Sequence, residues 1–231
     1  ENIDFLVLSG DVLNPHAAGP HGMSLLLDCF DQLHAKGKPV FWCAGLADDP
    51  QKWPEAVPLP PNVTLFPKNR TAAVPVDRGG RTICMVVGRS SDGRSVLHVP
   101  SYRIDPTDEF TVAVGYGSSD VDALAEGRFD YWALGGHHSR EVLDGGAKGG
   151  AVYCGSPQGR CLQETGPHGY SVVDVDADQT VRLQAIDCDT FRYCHVEIDG
   201  GEIAAVGGLR NLMGEKIVRL QHESGGKHLV I

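Results

Sequence analysis

Apolar runs that stop at glycine or at an acidic residue recur along this chain, and their spacing sets the expected fold. Ile3 to Leu8 is apolar except for Asp4 and ends at Ser9-Gly10-Asp11, the pattern of a buried parallel strand that delivers a carboxylate at its tip. Such a strand needs neighbours on both sides, so the pattern predicts a further strand and loop upstream. From Met23 to Lys36, Leu25, Leu26, Cys29, Phe30 and Leu33 recur at helical spacing, and Gly37 closes the helix. Pro39 to Cys43 reads as the next strand, with the polar terminus Ala44 to Asp49 behind it. Strand, helix and strand in that order predict a βαβ unit.

Prolines at 50, 54, 58, 60, 61 and 67 then forbid long regular elements and predict a surface excursion, with a short helical turn between Asp49 and Val57. Strands are expected at Arg81 to Gly88 and at Phe110 to Val114, the second ending at Gly115-Tyr116-Gly117. Ser119 is the candidate cap of a short helix through Glu126. Tyr131 to Leu134 is a strand that stops at Gly135-Gly136 and is followed at once by His137 and His138. Ala151 to Cys154 is another, stopping at Gly155-Ser156-Pro157. Ser171 to Asp176 and Val181 to Ala185 predict a β-hairpin. Beyond Asp187, Phe191 to Ile198 alternates like a strand, Glu202 to Leu212 is weakly helical, and Leu229-Val230-Ile231 is apolar. Polar groups gathered at strand ends are the usual ligand-binding arrangement of open α/β sheets.

Composition narrows the function. The 231 residues, 42% of them hydrophobic, can bury a large core. Thirty acidic against 20 basic residues give a net charge of −10, which argues against a chain that coats nucleic acid over its whole surface and leaves room for a local basic groove. No apolar run reaches the ~18 residues of a membrane span, and ENIDFLVLSGD lacks the marks of a secretory signal. Seven cysteines without a C-x-x-C motif, several within apolar runs, point to a reducing cytoplasm.

The segments FLVLSGD, FDYWALGGHHSREVL and YCGSPQGRCLQETGPHGYSVVDVD, in this order, resemble the calcineurin-like metallophosphoesterases, most closely their SbcD-like DNA-repair exonuclease branch. The resemblance implies an α/β fold for residues 1–187, a two-sheet β-sandwich flanked by helices in four αββα layers. Residues 188–231 would begin a C-terminal accessory or capping region. It implies phosphodiester hydrolysis at two metal ions, usually Mn²⁺, held by Asp, His and Asn at loop tips, with one bridging carboxylate between the ions.

Residue by residue, the implied ligand set is incomplete. Asp11 matches the bridging aspartate. The family's G-N-H-D falls on Gly45-Leu46-Ala47-Asp48, so Leu46 replaces a metal-binding Asn and Ala47 a phosphate-contacting His, while Asp48 is kept as a supporting group. The family's strand-end His falls on Tyr116. Aligned without gaps, G-H-x-H falls on Gly135-Gly136-His137-His138, so Gly136 replaces the first His and His138 is the second. A gapped register would instead use His137 and Ser139. The losses at Leu46, Tyr116 and Gly136 all strike one ion, which keeps only Asp11. The other keeps Asp11 and His138, its D-x-H ligands lying upstream of Glu1 in the family pattern. The implied centre is degenerate and holds at most one Mn²⁺.

Ser156, Gln158 and Arg160 in the G-S-P-x-G loop are placed to face an anion such as a phosphate, the alternative being a tight turn between strands. His16 and His21 are read as solvated, and His137 as a surface or packing residue. Two readings stay open at this point: a phosphodiesterase similar to DNA-repair exonucleases with at most one metal, and an inactive scaffold that binds DNA ends or an SbcC-like ATPase. An unrelated α/β binding protein is the remaining alternative.

Overall fold

A computed structural model of the chain describes residues 3–199, 201 and 206–231. The expected βαβ unit is there. Strands β1 (Leu6–Ser9) and β2 (Val40–Cys43) pair in parallel, Leu6 opposite Val40 and Ser9 opposite Cys43, with helix α1 (Pro15–Ala35) between them. The helical stretch is two pieces joined at a kink: a first turn from Pro15 precedes Gly19, whose φ of 64 and ψ of −178 break the helix, and the apolar-spaced part follows. Asn14 Oδ1 accepts the N–H groups of His16 and Ala17 at 3.1 and 3.3 Å, and Pro15 brings a φ already suited to the first turn. His16 and His21 therefore sit on this helix, exposed, rather than in a loop.

The first sheet runs β1-β2-β3, with β3 (Val63–Leu65) parallel to β2. β2 is wholly buried at its centre, whereas β1 is the outermost strand of this sheet among the described residues, each of its residues partly exposed. β3 lies inside the proline-rich stretch read as an excursion: Pro60-Pro61 and Pro67 leave three residues free to pair, and Phe66 behind them is fully buried. The predicted turn of helix after Asp49 is a short 3₁₀ segment, Pro50–Lys52.

The second sheet has six strands: β4 (Ala72–Arg78), β5 (Arg81–Gly88), β6 (Phe110–Tyr116), β7 (Tyr131–Gly135), β8 (Glu141–Leu143) and β9 (Ala151–Tyr153), in the order β4-β5-β6-β7-β9-β8. The inner four are parallel and the two edges antiparallel. Between β6 and β7 runs α2 (Val121–Glu126), whose cap is Asp120, not Ser119: Asp120 Oδ1 accepts the Ala123 N–H at 2.7 Å.

β1 and β2 pack on β5, β6 and β7, so the two sheets lie face to face. On the far face of the first, Leu26, Phe30 and Leu33 of α1 cover Leu6, Leu8, Val40 and Trp42. On the far face of the second, Leu124 of α2 joins Ala113, Trp132, Leu134, Ala151 and Tyr153. The result is the four-layer αββα sandwich of a mixed α/β protein. It orients the site, because the carboxyl ends of β1, β2, β6 and β7 come together: a β-carbon on Gly135 would strike the Ser9 carbonyl, and one on Gly45 would strike Tyr116.

The chain divides into two compact units. The first comprises Glu1–His137, Glu141–Cys154 and Asp174–Arg182; the second comprises His138–Arg140, Gly155–Val173 and Leu183–Ile231. β10 (Gly169–Val175) and β11 (Val181–Asp187) form the predicted hairpin. In the second unit β12 (Phe191–Tyr193) pairs in parallel with β13 (His228–Val230), and α3 (Val206–Glu223) lies between them in sequence with no buried residue. The first part of the predicted 202–212 helix, residues 202–205, lies outside the described residues. Asp189, its side chain fully buried, anchors this unit: its carboxylate takes Arg192 Nε and Nη2, both at 2.9 Å, with Lys227 Nζ at 3.7 Å. No helix among the described residues is long and apolar enough to cross a membrane.

Candidate functional site

The strand ends of the first unit are joined by one buried carboxylate. Asp48 Oδ1 accepts the N–H groups of Asp11 at 3.0 Å and Gly45 at 2.5 Å; Oδ2 accepts the Val12 N–H at 3.0 Å and the Trp42 indole N–H at 2.8 Å. The loops behind β1 and β2 are thereby locked to each other, with Asp11 held at φ 54, which non-glycine residues seldom adopt. Burial pushes the Asp48 carboxyl up, opposed by these four donors. Asp48 thus hydrogen-bonds the backbone on both sides of the strand ends.

Asp11 projects from that clamp, and protein donors reach both of its oxygens. Ala47 N–H donates to Oδ1 at 2.7 Å, and the Tyr116 hydroxyl donates to Oδ2. Burial first, and the Asp11 carboxylate next, push the Tyr116 phenol well above the usual tyrosine range, so it keeps its proton at neutral pH. Leu46 is 46% exposed, and Gly136 lies beside the phenol, where an added β-carbon would be 3.5 Å from Tyr116 Cζ. The structure thus brings together Asp11, Leu46, Ala47, Asp48, Tyr116 and Gly136.

This set does not fit a pair of divalent cations. Leu46, Ala47 and Gly136 bring no side-chain donor, and an ion on Asp11 would have to displace the Tyr116 hydrogen bond. Among the described residues no group of three or more His, Cys, Asp or Glu is gathered in metal-holding geometry.

His137 belongs to the same unit and is a packing residue with polar contacts. Its ring stacks on Tyr153 at 3.8 Å, with Nδ1 3.1 Å from Glu141 Oε2 and Nε2 3.3 Å from Ser118 Oγ. Ser118 and Glu141 carried no signal in the sequence.

His138 stands in the second unit. Its Nδ1 is 2.5 Å from Glu164 Oε1, and Arg160 Nη2 is 3.2 and 3.3 Å from its two ring nitrogens. Near-equal distances put the guanidinium over the ring face rather than along a lone pair. Burial pushes the Glu164 carboxyl up, but the Arg160 backbone N–H at 2.8 Å, His138 and the Arg160 guanidinium outweigh it and hold the group below the usual glutamate range. The carboxylate beside Nδ1 orients the imidazole ring, and the Arg160 guanidinium lies within 3.3 Å of Nε2.

In the loop Gly155 to Arg160, Ser156 Oγ is engaged by the carbonyls of His138 and Gln158, both at 3.2 Å, and by His168 Nδ1 at 3.0 Å. Gln158 bonds the backbone of residues 190 and 191. Arg160, 65% exposed in its side chain, is the one of the three whose charged group faces solvent. Glu164 and His168, which tie this loop down, were not singled out in advance, although both lie in the ETGPHG segment that carried part of the resemblance.

No family model matches the chain. Over 199 residues it is 28% identical to the uncharacterized metallophosphoesterase YhaO of Bacillus subtilis (strain 168). The likeness is to a metallophosphoesterase. The aligned region covers 76% of this chain and 46% of the Bacillus protein, so the chain spans about half the length of the curated relative it matches.

Proposed function

We propose that this chain is a metallophosphoesterase-type domain, nearest in kind to the SbcD-like DNA-repair exonucleases, that engages phosphodiesters without the ordinary two-metal reaction. The observation that carries the reading is the convergence of Asp11, Asp48 and Tyr116 at the carboxyl ends of β1, β2 and β6, in the motif order of that family. The similarity to the Bacillus metallophosphoesterase supports the same reading. At most one Mn²⁺ is proposed, with His138 of the second unit as its candidate ligand, since both Asp11 oxygens are taken up by protein donors, and with Arg160 as the proposed phosphate contact.

The scaffold alternative, a domain that holds DNA ends or an SbcC-like ATPase without cutting, is favoured by one feature: both oxygens of Asp11 already have protein donors. A cytoplasmic location fits seven cysteines without a C-x-x-C motif. The test is binding of fluorescent linear duplex DNA by anisotropy over a range of salt, beside Mn²⁺-dependent cleavage of the same DNA. Binding that weakens with salt and on Arg160→Ala, without robust cleavage, is the expected result. No binding of DNA or of any phosphodiester would remove the reading.

A further inference from the structure

The Tyr116 side chain occupies more than a strand end. Its ring lies against the backbones of two other strand ends: a β-carbon on Gly10 would fall 2.2 Å from Cδ2, and one on Gly45 would fall 2.6 Å from Cε2. Only glycine at both places leaves room for the ring. On a third side a β-carbon at Gly136 would touch Cζ at 3.5 Å, and φ 102 there disfavours any side chain. The hydroxyl ends on Asp11 Oδ2, and the Ala47 N–H closes the other oxygen. The loops carrying these groups are meanwhile held by Asp48 through three backbone N–H groups and the Trp42 indole, with no need of an ion.

We propose that Tyr116 is a phenolic stand-in for a cation: its O–H gives Asp11 the positive partner that a metal would supply, and its ring fills the volume beside it. This rests on the metallophosphoesterase reading and goes beyond it, because it gives Tyr116 the place of a metal against Asp11 and makes that replacement reversible. Leu46 and Gly136 are then tolerated because nothing remains for a donor at either place to bind.

The test is the double variant Tyr116→His with Leu46→Asn, which removes the phenol and sets an imidazole and an amide beside Asp11. Mn²⁺ uptake is followed by the electron paramagnetic resonance of the free ion. The double variant is expected to bind about one more equivalent of Mn²⁺ than the native protein, about tenfold or more tightly. Adding Asp11→Ala is expected to abolish the gain. A folded double variant that binds no more Mn²⁺ than the native protein overturns the proposal.

Should the double variant not fold, the native protein decides. The ¹³Cζ resonance of Tyr116, assigned with Tyr116→Phe, is expected to stay sharp in Mn²⁺, and the melting temperature to be the same in Mn²⁺ and in EDTA. Broadening of that resonance, or native Mn²⁺ binding that Asp11→Ala removes, overturns the stand-in while leaving the family reading intact. Failure to bind any phosphodiester does the reverse.

Discussion

Asp48 and Tyr116 divide the work at the strand ends. Asp48 carries four N–H donors in a buried position, and an amide there has one acceptor oxygen and turns an NH₂ toward the rest, so Asp48→Asn should cost on the order of 3 kcal/mol in urea unfolding. Tyr116→Phe keeps the ring and loses only the hydrogen bond to Asp11, so a smaller loss of about 1 kcal/mol is expected. The pH dependence separates the two. A phenol whose pKa is higher in the fold than in the unfolded chain does not alter stability below about pH 10 and destabilises the fold above it. The alkaline fall in stability should therefore be shallower in Tyr116→Phe. In the sequence Asp48 stands as a supporting group and Tyr116 at the place of a strand-end His. Its hydroxyl was invisible, because no periodicity reports that Gly10 and Gly45 leave the ring just enough room to reach Asp11.

Among the elements, the strands with long apolar runs were legible and the short or edge ones were not. β5 falls on its expected limits and β2, β6 and β7 within two residues of theirs, since all four are heavily buried and their sequences are nearly continuous in apolar residues. β4 and β8 went unseen because they are edges: β4 alternates and contains Pro75, tolerated on an edge, and β8 is only three residues long. In the second unit the β12–β13 pair depends on Asp189. Asp189→Asn leaves Arg192 and Lys227 without their buried counter-charge and should cost on the order of 3 kcal/mol, seen as faster hydrogen exchange in β12 and β13. The bonded Arg192 holds the Asp189 carboxyl below the usual aspartate range, so its contribution is complete above about pH 4 and is lost as pH falls further.

For the whole molecule, the sandwich and the position of its site follow from the order in which strands end at polar residues. The chemistry follows from which residues stand at those ends. The positions where the resemblance implies metal ligands, Leu46, Tyr116 and Gly136, bring no carboxylate or imidazole to these strand ends, and the Tyr116 hydroxyl already donates to Asp11. The most direct measurement is the manganese content of the full-length protein, dialysed against Mn²⁺ and assayed on a simple phosphodiester. The account predicts no more than about one equivalent of bound ion and no robust metal-dependent turnover. Two equivalents, with turnover abolished by His138→Ala, would contradict it.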